Sequence, residues 1–250
     1  MISVWVGLVL LAARSWADEL YTLTSPNARI GISIQIPAAT SAVSPHWSMT
    51  FDGKQLLGDC RLGLQVKGTG ELLSGTRLLQ HRSRSADLRV KVLFGKTDYA
   101  NDRYKELRFE FEKAGGRRVD VVFRCYDDAV ALRYELLSMA KGESVVIADE
   151  TTSFGVEANP TTYAQYLENF TTSHEHNVTM VRANDLPPSQ LLDMPLTLAW
   201  EDGTCAAITE AALRHYAGMS LQRATNGAEP AELVCQLTPR PDGTKVVGEL

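Results

Sequence analysis

No two cysteines in this 250-residue sequence lie close enough to form a C-x-x-C pair: Cys60, Cys125, Cys205 and Cys235 are widely spaced. That spacing excludes zinc-ribbon and thioredoxin-type sites. Positive charge is also short, with 25 Lys and Arg against 30 Asp and Glu and a net charge of −5. Too little is available to track a phosphate backbone, so nucleic acid is not an expected partner. Beyond residue 17 no apolar run is long enough to cross a bilayer as a helix, so no transmembrane segment is expected in the mature chain. The G-x-S-x-G elbow, the Walker loop and the dinucleotide fingerprint are all missing, and Gly68 and Gly70 make only a loop. Helical periodicity is scarce too: AALRHYAG offers one or two turns, ended by Gly218.

What the chain does contain begins with MISVWVGLVLLAARSWA. An apolar run from Ile2 to Ala13 precedes Ser15-Trp16-Ala17, a small-x-small pattern of the kind a signal peptidase cuts. Residues 1–17 are therefore expected to be a signal peptide and 18–250 one mature domain, exported to the periplasm or the extracellular space. An exported chain permits disulfides. All four cysteines nevertheless sit in strand-like apolar patterns, where the residue also serves as a small buried hydrophobe. Both outcomes stay open.

Period-two patterning dominates the mature chain. ARIGISIQI sets Ile30, Ile32, Ile34 and Ile36 on one face, and LRVKVLF and KELRFEFEK alternate likewise. Turn sequences separate the runs, among them DGK at 52–54, KAGG at 113–116 and EDG at 201–203. In RRVDVVFRCY, Val119, Val121, Phe123 and Cys125 share one face, while Asp120, Val122, Arg124 and Tyr126 share the other, so both faces of that strand are expected to be covered. The expected class is all-β, an antiparallel two-sheet sandwich with very little helix. Ala158 to Pro195, rich in Thr, Asn, Ser and Pro, reads as a long functional loop.

That segment holds two groups of candidate residues. His174 and His176 would point to one side of an extended strand, but spacing nominates no third ligand, and a solvated loop accounts for them as well. In ANPTTYAQYLENF, Tyr163, Tyr166 and Phe170 accompany Glu168 and Asn169. Flat rings and planar polar groups together are what sugar sites use, so Tyr166, Glu168 and Asn169 are candidates for binding carbohydrate. Aromatic anchoring of a loop explains the same residues. Asn169-Phe170-Thr171 and Asn177-Val178-Thr179 also match the glycosylation sequon.

In DGTCAAITEAALRHYAGMSL, alternation puts Ala206, Ile208 and Glu210 on one face. A carboxylate carried there must reach a cation, hydrogen-bond donors or a cleft mouth, because burying it unpaired costs several kcal/mol. Exposure at a strand end is the alternative.

MPLTLAWEDGTCA followed by ITEAALRHYAGMSL resembles the N-terminal domain of glycoside hydrolase family 97, the α-glucosidase and α-galactosidase family. SPNARIGISIQI, FDGKQLL, NDRYKELRFEFE and RRVDVVFRCYDDAVALRYEL resemble it in the same order. Ala129 stands where the family pattern has glycine. The resemblance implies a galactose mutarotase-like super-sandwich placed before a catalytic (β/α)8 barrel that is absent from this sequence. It also implies that Glu210 is a ligand to a calcium ion shared with that barrel, that the substrate is an α-glucoside or α-galactoside, and that the chain is not catalytic alone. A stand-alone carbohydrate-binding or interaction module of the cell envelope and a mutarotase-like enzyme are the competing expectations.

Overall fold

A computed structural model describes residues 18–137, 143–214, 216–225 and 229–249. The expected signal peptide lies outside the described residues. β1 (Glu19–Thr24), β2 (Ile30–Ile36), β3 (His46–Phe51) and β4 (Lys54–Arg61) are successive antiparallel neighbours, and β5 (Leu64–Val66) and β6 (Gly70–Glu71) make a short hairpin. β7 (Arg77–Lys91), β8 (Tyr99–Glu112), β9 (Arg118–Tyr126) and β10 (Val130–Leu137) form a meander of their own. β11 (Ser144–Glu150) joins β5, and β12 (Ser153–Val156) joins β4.

β13 (Thr161–Leu167), β14 (Val178–Arg182), β15 (Leu191–Leu192), β16 (Leu196–Ala199), β17 (Cys205–Ile208), β18 (Met219–Arg223) and β19 (Ala231–Leu237) complete a twelve-stranded sheet with β1–β4 and β12. β20 (Val246–Glu249) pairs with β11. Every strand pairing is antiparallel, and the 3-10 turn Ala183–Asp185 is the one helical element among the described residues.

The alternating isoleucines form the floor of the core: Ile30, Ile32, Ile34 and Ile36 are all buried. Against them stand Leu107, Phe109 and Phe111 of β8 and Val119, Val121, Phe123 and Cys125 of β9. Ring contacts tie the two sheets, with Tyr21 edge-on to Phe109 at 5.0 Å and Trp47 tilted on Phe123 at 5.6 Å. Each such side chain contributes about 1.5–3 kcal/mol of burial, which makes this interface the main source of stability.

The second face of β9 is covered by the sheet's own arginines. Arg84 and Arg124 both bond Glu106, at 2.7 and 2.6 Å, and Arg108 bonds Asp120 and Glu135 at 2.6 Å each. Their stems shield Val122, which is buried.

Three expectations change. Ala158 to Pro195 is a loop only in part: Thr161–Leu167, Val178–Arg182 and Leu191–Leu192 are strands, because threonine and tyrosine suit a half-exposed pleat and β13 pairs with β14, β15 and β16, while 168–177 stay irregular. AALRHYAG shows no helical turn among its described residues. Tyr216 is drawn instead to Glu150, and that tertiary contact outweighs a short run of helix propensity. Finally, LRVKVLF alternates in the manner of a half-buried strand, yet Leu88 and Val90 are exposed. All four cysteines are free thiols; Cys60, Cys125 and Cys235 are buried and Cys205 is exposed.

Candidate functional site

Glu210 sits at the neck of a loop. β16 and β17 pair from Leu196↔Ile208 to Ala199↔Cys205, closed by the Glu201–Gly203 turn. Ile208 is buried, Ala206 and Glu210 are partly buried, and Cys205, Ala207 and Thr209 are turned outward or exposed in part. β15 and β16 act as one interrupted strand beside β13; its other side pairs first with β18, through Leu191 and Leu192, and then with β17. The chain therefore leaves the sheet after β17 and rejoins it at β18. Glu210 Oε2 accepts the Met219 N–H at 3.2 Å, which closes residues 211–218 into a loop.

Burial pushes the Glu210 carboxyl above its usual value, opposed only in part by the Met219 N–H. Other acids share its field. The Tyr216 hydroxyl donates to Glu150 Oε2 at 2.9 Å, and Lys245 meets Asp149 Oδ2 at 2.5 Å. Burial drives the Glu150 carboxyl upward, Thr152 and Tyr216 bonds oppose this, and the charges of Asp149 and Glu210 add to the rise. Tyr134, partly buried, links its hydroxyl to Thr152 Oγ1 at 2.6 Å and accepts the Gly63 N–H at 3.2 Å. Three carboxyls thus crowd one region, with Lys245 the one cation bonded to any of them among the described residues.

Sequence reading placed Glu210 on this face but missed Glu150 and Tyr216. Their contact spans 66 positions, and no local pattern signals it.

Tyr166, Glu168 and Asn169 lie at the end of β13, where two shallow open clefts of about 360 and 370 Å³ meet. Leu167, Glu168 and Gln190 border both; Tyr166 and His176 line one, and Asn169, Phe170 and Gln222 the other. Tyr166 is half-buried, and Glu168 and Asn169 are exposed. The Asn169 amide oxygen accepts the Thr171 N–H and hydroxyl at 2.8 and 2.7 Å, fixing its plane. Gln190 and Gln222 are further planar amides that sequence reading did not single out. Tyr163 is exposed on the neighbouring stretch of β13.

His174 does not join His176 in a ligand set. Its Nδ1 lies 2.9 Å from Asp193 Oδ2, which also accepts from the Gln165 amide at 2.8 Å. Among the described residues no three His, Cys, Asp or Glu side chains are grouped to hold a metal ion. What Glu210 offers a cation is one carboxylate, with Oε1 taking no hydrogen bond among the described residues. That fits a single oxygen ligand to a hard ion and no more, since calcium takes about six to eight.

Comparison with known proteins shows the family and the fold. The profile described as Glycosyl-hydrolase 97 N-terminal matches residues 23–240. A probable retaining alpha-galactosidase of Streptomyces bingchenggensis is 31% identical over 198 residues, covering 78% of this chain and 29% of that protein. The retaining alpha-galactosidase of Bacteroides thetaiotaomicron is 25% identical over 234 residues, covering 88% and 33% respectively. Among solved structures, a glycoside hydrolase family 97 enzyme from Pseudoalteromonas sp. strain K8 in complex with acarbose superposes with a TM-score of 0.78 at 24% identity. It covers 92% of this chain, which covers 33% of it. That likeness carries the fold. The chain spans about a third of the length of the curated relatives it matches.

Proposed function

This chain belongs to the glycosyl-hydrolase 97 N-terminal family, and we propose that it is the carbohydrate-associated β domain of such an enzyme, presenting Glu210 to a calcium site completed by a catalytic barrel. The observation that carries the reading is the Glu210–Met219 neck. One carboxylate oxygen is fixed by a backbone donor, while the other has no donor among the described residues and no arginine or lysine beside it.

Glu210 would hold the ion through that free oxygen, with the β17–β18 neck fixing its direction. A bound divalent cation stabilises negative charge developing next to a glycosidic bond. Hydrolysis itself needs two carboxyl groups flanking the bond, and in this reading they come from the barrel. The neighbouring acids Glu150 and Asp149 serve differently: Glu150 pins Tyr216 and the loop, and Asp149 is engaged by Lys245 and the Leu237 N–H.

The clefts beside Tyr166, Glu168 and Asn169 support a second role, weak binding of an α-galactoside or α-glucoside by this domain. Ring, carboxylate and amides converge there, as in sugar sites. The leader-like residues 1–17 support export to the periplasm or the extracellular space.

The test uses the full chain with aryl α-galactoside and α-glucoside, and with calcium by calorimetry. No turnover and weak calcium binding are expected. Turnover by this chain alone, or tight calcium binding abolished by Glu210→Gln, would overturn the reading.

A further inference from the structure

The hairpin of β7 and β8 outruns its sheet. β9 pairs with β8 only from Tyr104 onward, so residues 87–91 and 99–103 continue as a two-stranded arm. β7 is also the edge strand of that sheet, and all of its fifteen residues except Leu78, Leu79 and Ala86 are exposed. Such an edge presents a row of unpaired backbone groups, and a two-stranded ribbon is marginal alone.

The β7 strand of the arm is amphipathic, although Asp102 of β8 stands opposite Leu88. Ala86, Leu88 and Val90 share one face, and Asp87, Arg89 and Lys91 the other. Leu88 is 58% exposed and Val90 45%, and at the tip Leu93 and Phe94 reach 90% and 86%. Period-two alternation of this kind is the mark of a face that is meant to be covered. The arm also leads away from Tyr134 and Glu150. Tyr134 stands in the Val121, Phe109 and His81 row, and Leu88 is about 23 Å further along β7 at ~3.3 Å per residue.

We propose that the β7 edge of the arm pairs antiparallel with the same edge of a second copy of this chain, about a two-fold axis through Leu88. Opposed side chains in a sheet share a face, so the axis must pass through a residue pair. Centring it on Ala86 would set Leu88 against Arg84 and Val90 against Arg82. Centring it on Asp87 or Arg89 would oppose like charges, and on Val90 would set Arg89 against Lys91. Leu88 is the one centre on this stretch that opposes no like charges and sets no apolar residue of 86–90 against an arginine. Leu88 then meets its own counterpart, Ala86 meets Val90, Asp87 meets Arg89 and Ser85 meets Lys91, the last three each twice. In the single chain Asp87 has only a loose partner in Arg103, at 3.6 Å, and Arg89 lies over the Tyr99 ring at 4.1 Å, so both can turn to the second copy.

Light scattering on the full chain, run from micromolar to millimolar concentration, is expected to show the mass rise from 27.5 kDa toward twice that value. Asp87→Arg and Arg89→Asp should each weaken the dimer at least tenfold, and the double exchange should restore it. In a Cys205→Ser background, Leu88→Cys should form a disulfide dimer under mild oxidation while Arg82→Cys does not. A concentration-independent monomer overturns the proposal. So does a dimer indifferent to the single reversals, or one that the double exchange fails to rescue although each variant keeps the parent's circular dichroism.

Discussion

The Glu210 carboxylate accepts the backbone N–H of Met219 at 3.2 Å across a loop of eight residues, and this one bond marks where two strands meet end to end. β17 and β18 flank the same interrupted strand, so the acid is oriented by the sheet on both sides of the loop.

Replacing Glu210 with Gln keeps an oxygen for the Met219 N–H and removes a charge that burial already disfavours. Thermal unfolding of the full chain is expected to change by less than about 1 kcal/mol. Millimolar calcium should move the parent's melting temperature little. A large calcium-dependent rise, lost in Glu210→Gln, would mean that the chain holds a complete metal site.

Tyr216→Phe removes the hydroxyl that bonds Glu150 and leaves that enclosed carboxyl with one donor fewer. A loss of about 1–3 kcal/mol is expected from urea unfolding. Hydrogen exchange at Met219 should quicken while β9 amides stay protected. Unchanged exchange would show that the loop does not depend on this contact.

Glu106 supplies a pH dependence. Burial raises its carboxyl, but bonds from Arg84 and Arg124 outweigh this and hold it below the ordinary 4.5. A depressed acid stabilises fully above its unfolded value, and the contribution is lost as pH falls through the folded value. Glu106→Gln should cost roughly 1–3 kcal/mol near neutrality, discounted because Arg84 is half exposed. The stability difference from the parent should shrink below pH 4.5. A difference constant from pH 7 to pH 3 would refute the pairing.

Thiol chemistry separates the cysteines. Burial pushes Cys60 up to about 12 and Cys125 to about 11, and Cys235 well above its ordinary value, whereas Cys205 is exposed. The thiolate is the reactive form, so a disulfide reagent should titrate one thiol rapidly in the native chain and four after denaturation. Fewer than four in the denatured, unreduced protein would reveal a bridge.

Glu168→Ala and Tyr166→Ala test the clefts. Glu168 is exposed, so its loss should leave the melting temperature unchanged, while both substitutions weaken any galactoside binding measured by calorimetry. Equal affinity in parent and variants would place the sugar elsewhere.

Much of this was readable in advance, and the reasons differ by residue. Ile30 to Ile36 announced a core face because β periodicity is local, and Ile208 and Glu210 followed from the same rule. Glu150 was invisible: it ends an ordinary strand, and its partner arrives 66 positions later. The arm was misread for a subtler reason. LRVKVLF carries the signature of a covered strand, but periodicity cannot say whether the cover belongs to the same chain. Within 158–195 the strands Thr161–Leu167 and Val178–Arg182 looked like loop because the composition is polar, whereas threonine and tyrosine suit a half-wet pleat; 168–177 is loop as expected.

The neck between β17 and β18 also separates two kinds of change. Because both abutments belong to the sheet, the loop between them can vary where it is not anchored: Tyr216 must stay for Glu150, while the exposed stretch 211–214 can be exchanged and the carboxylate at the entrance keeps its aim. Loop swaps at this point should retune what lies in front of Glu210 without moving Glu210 itself.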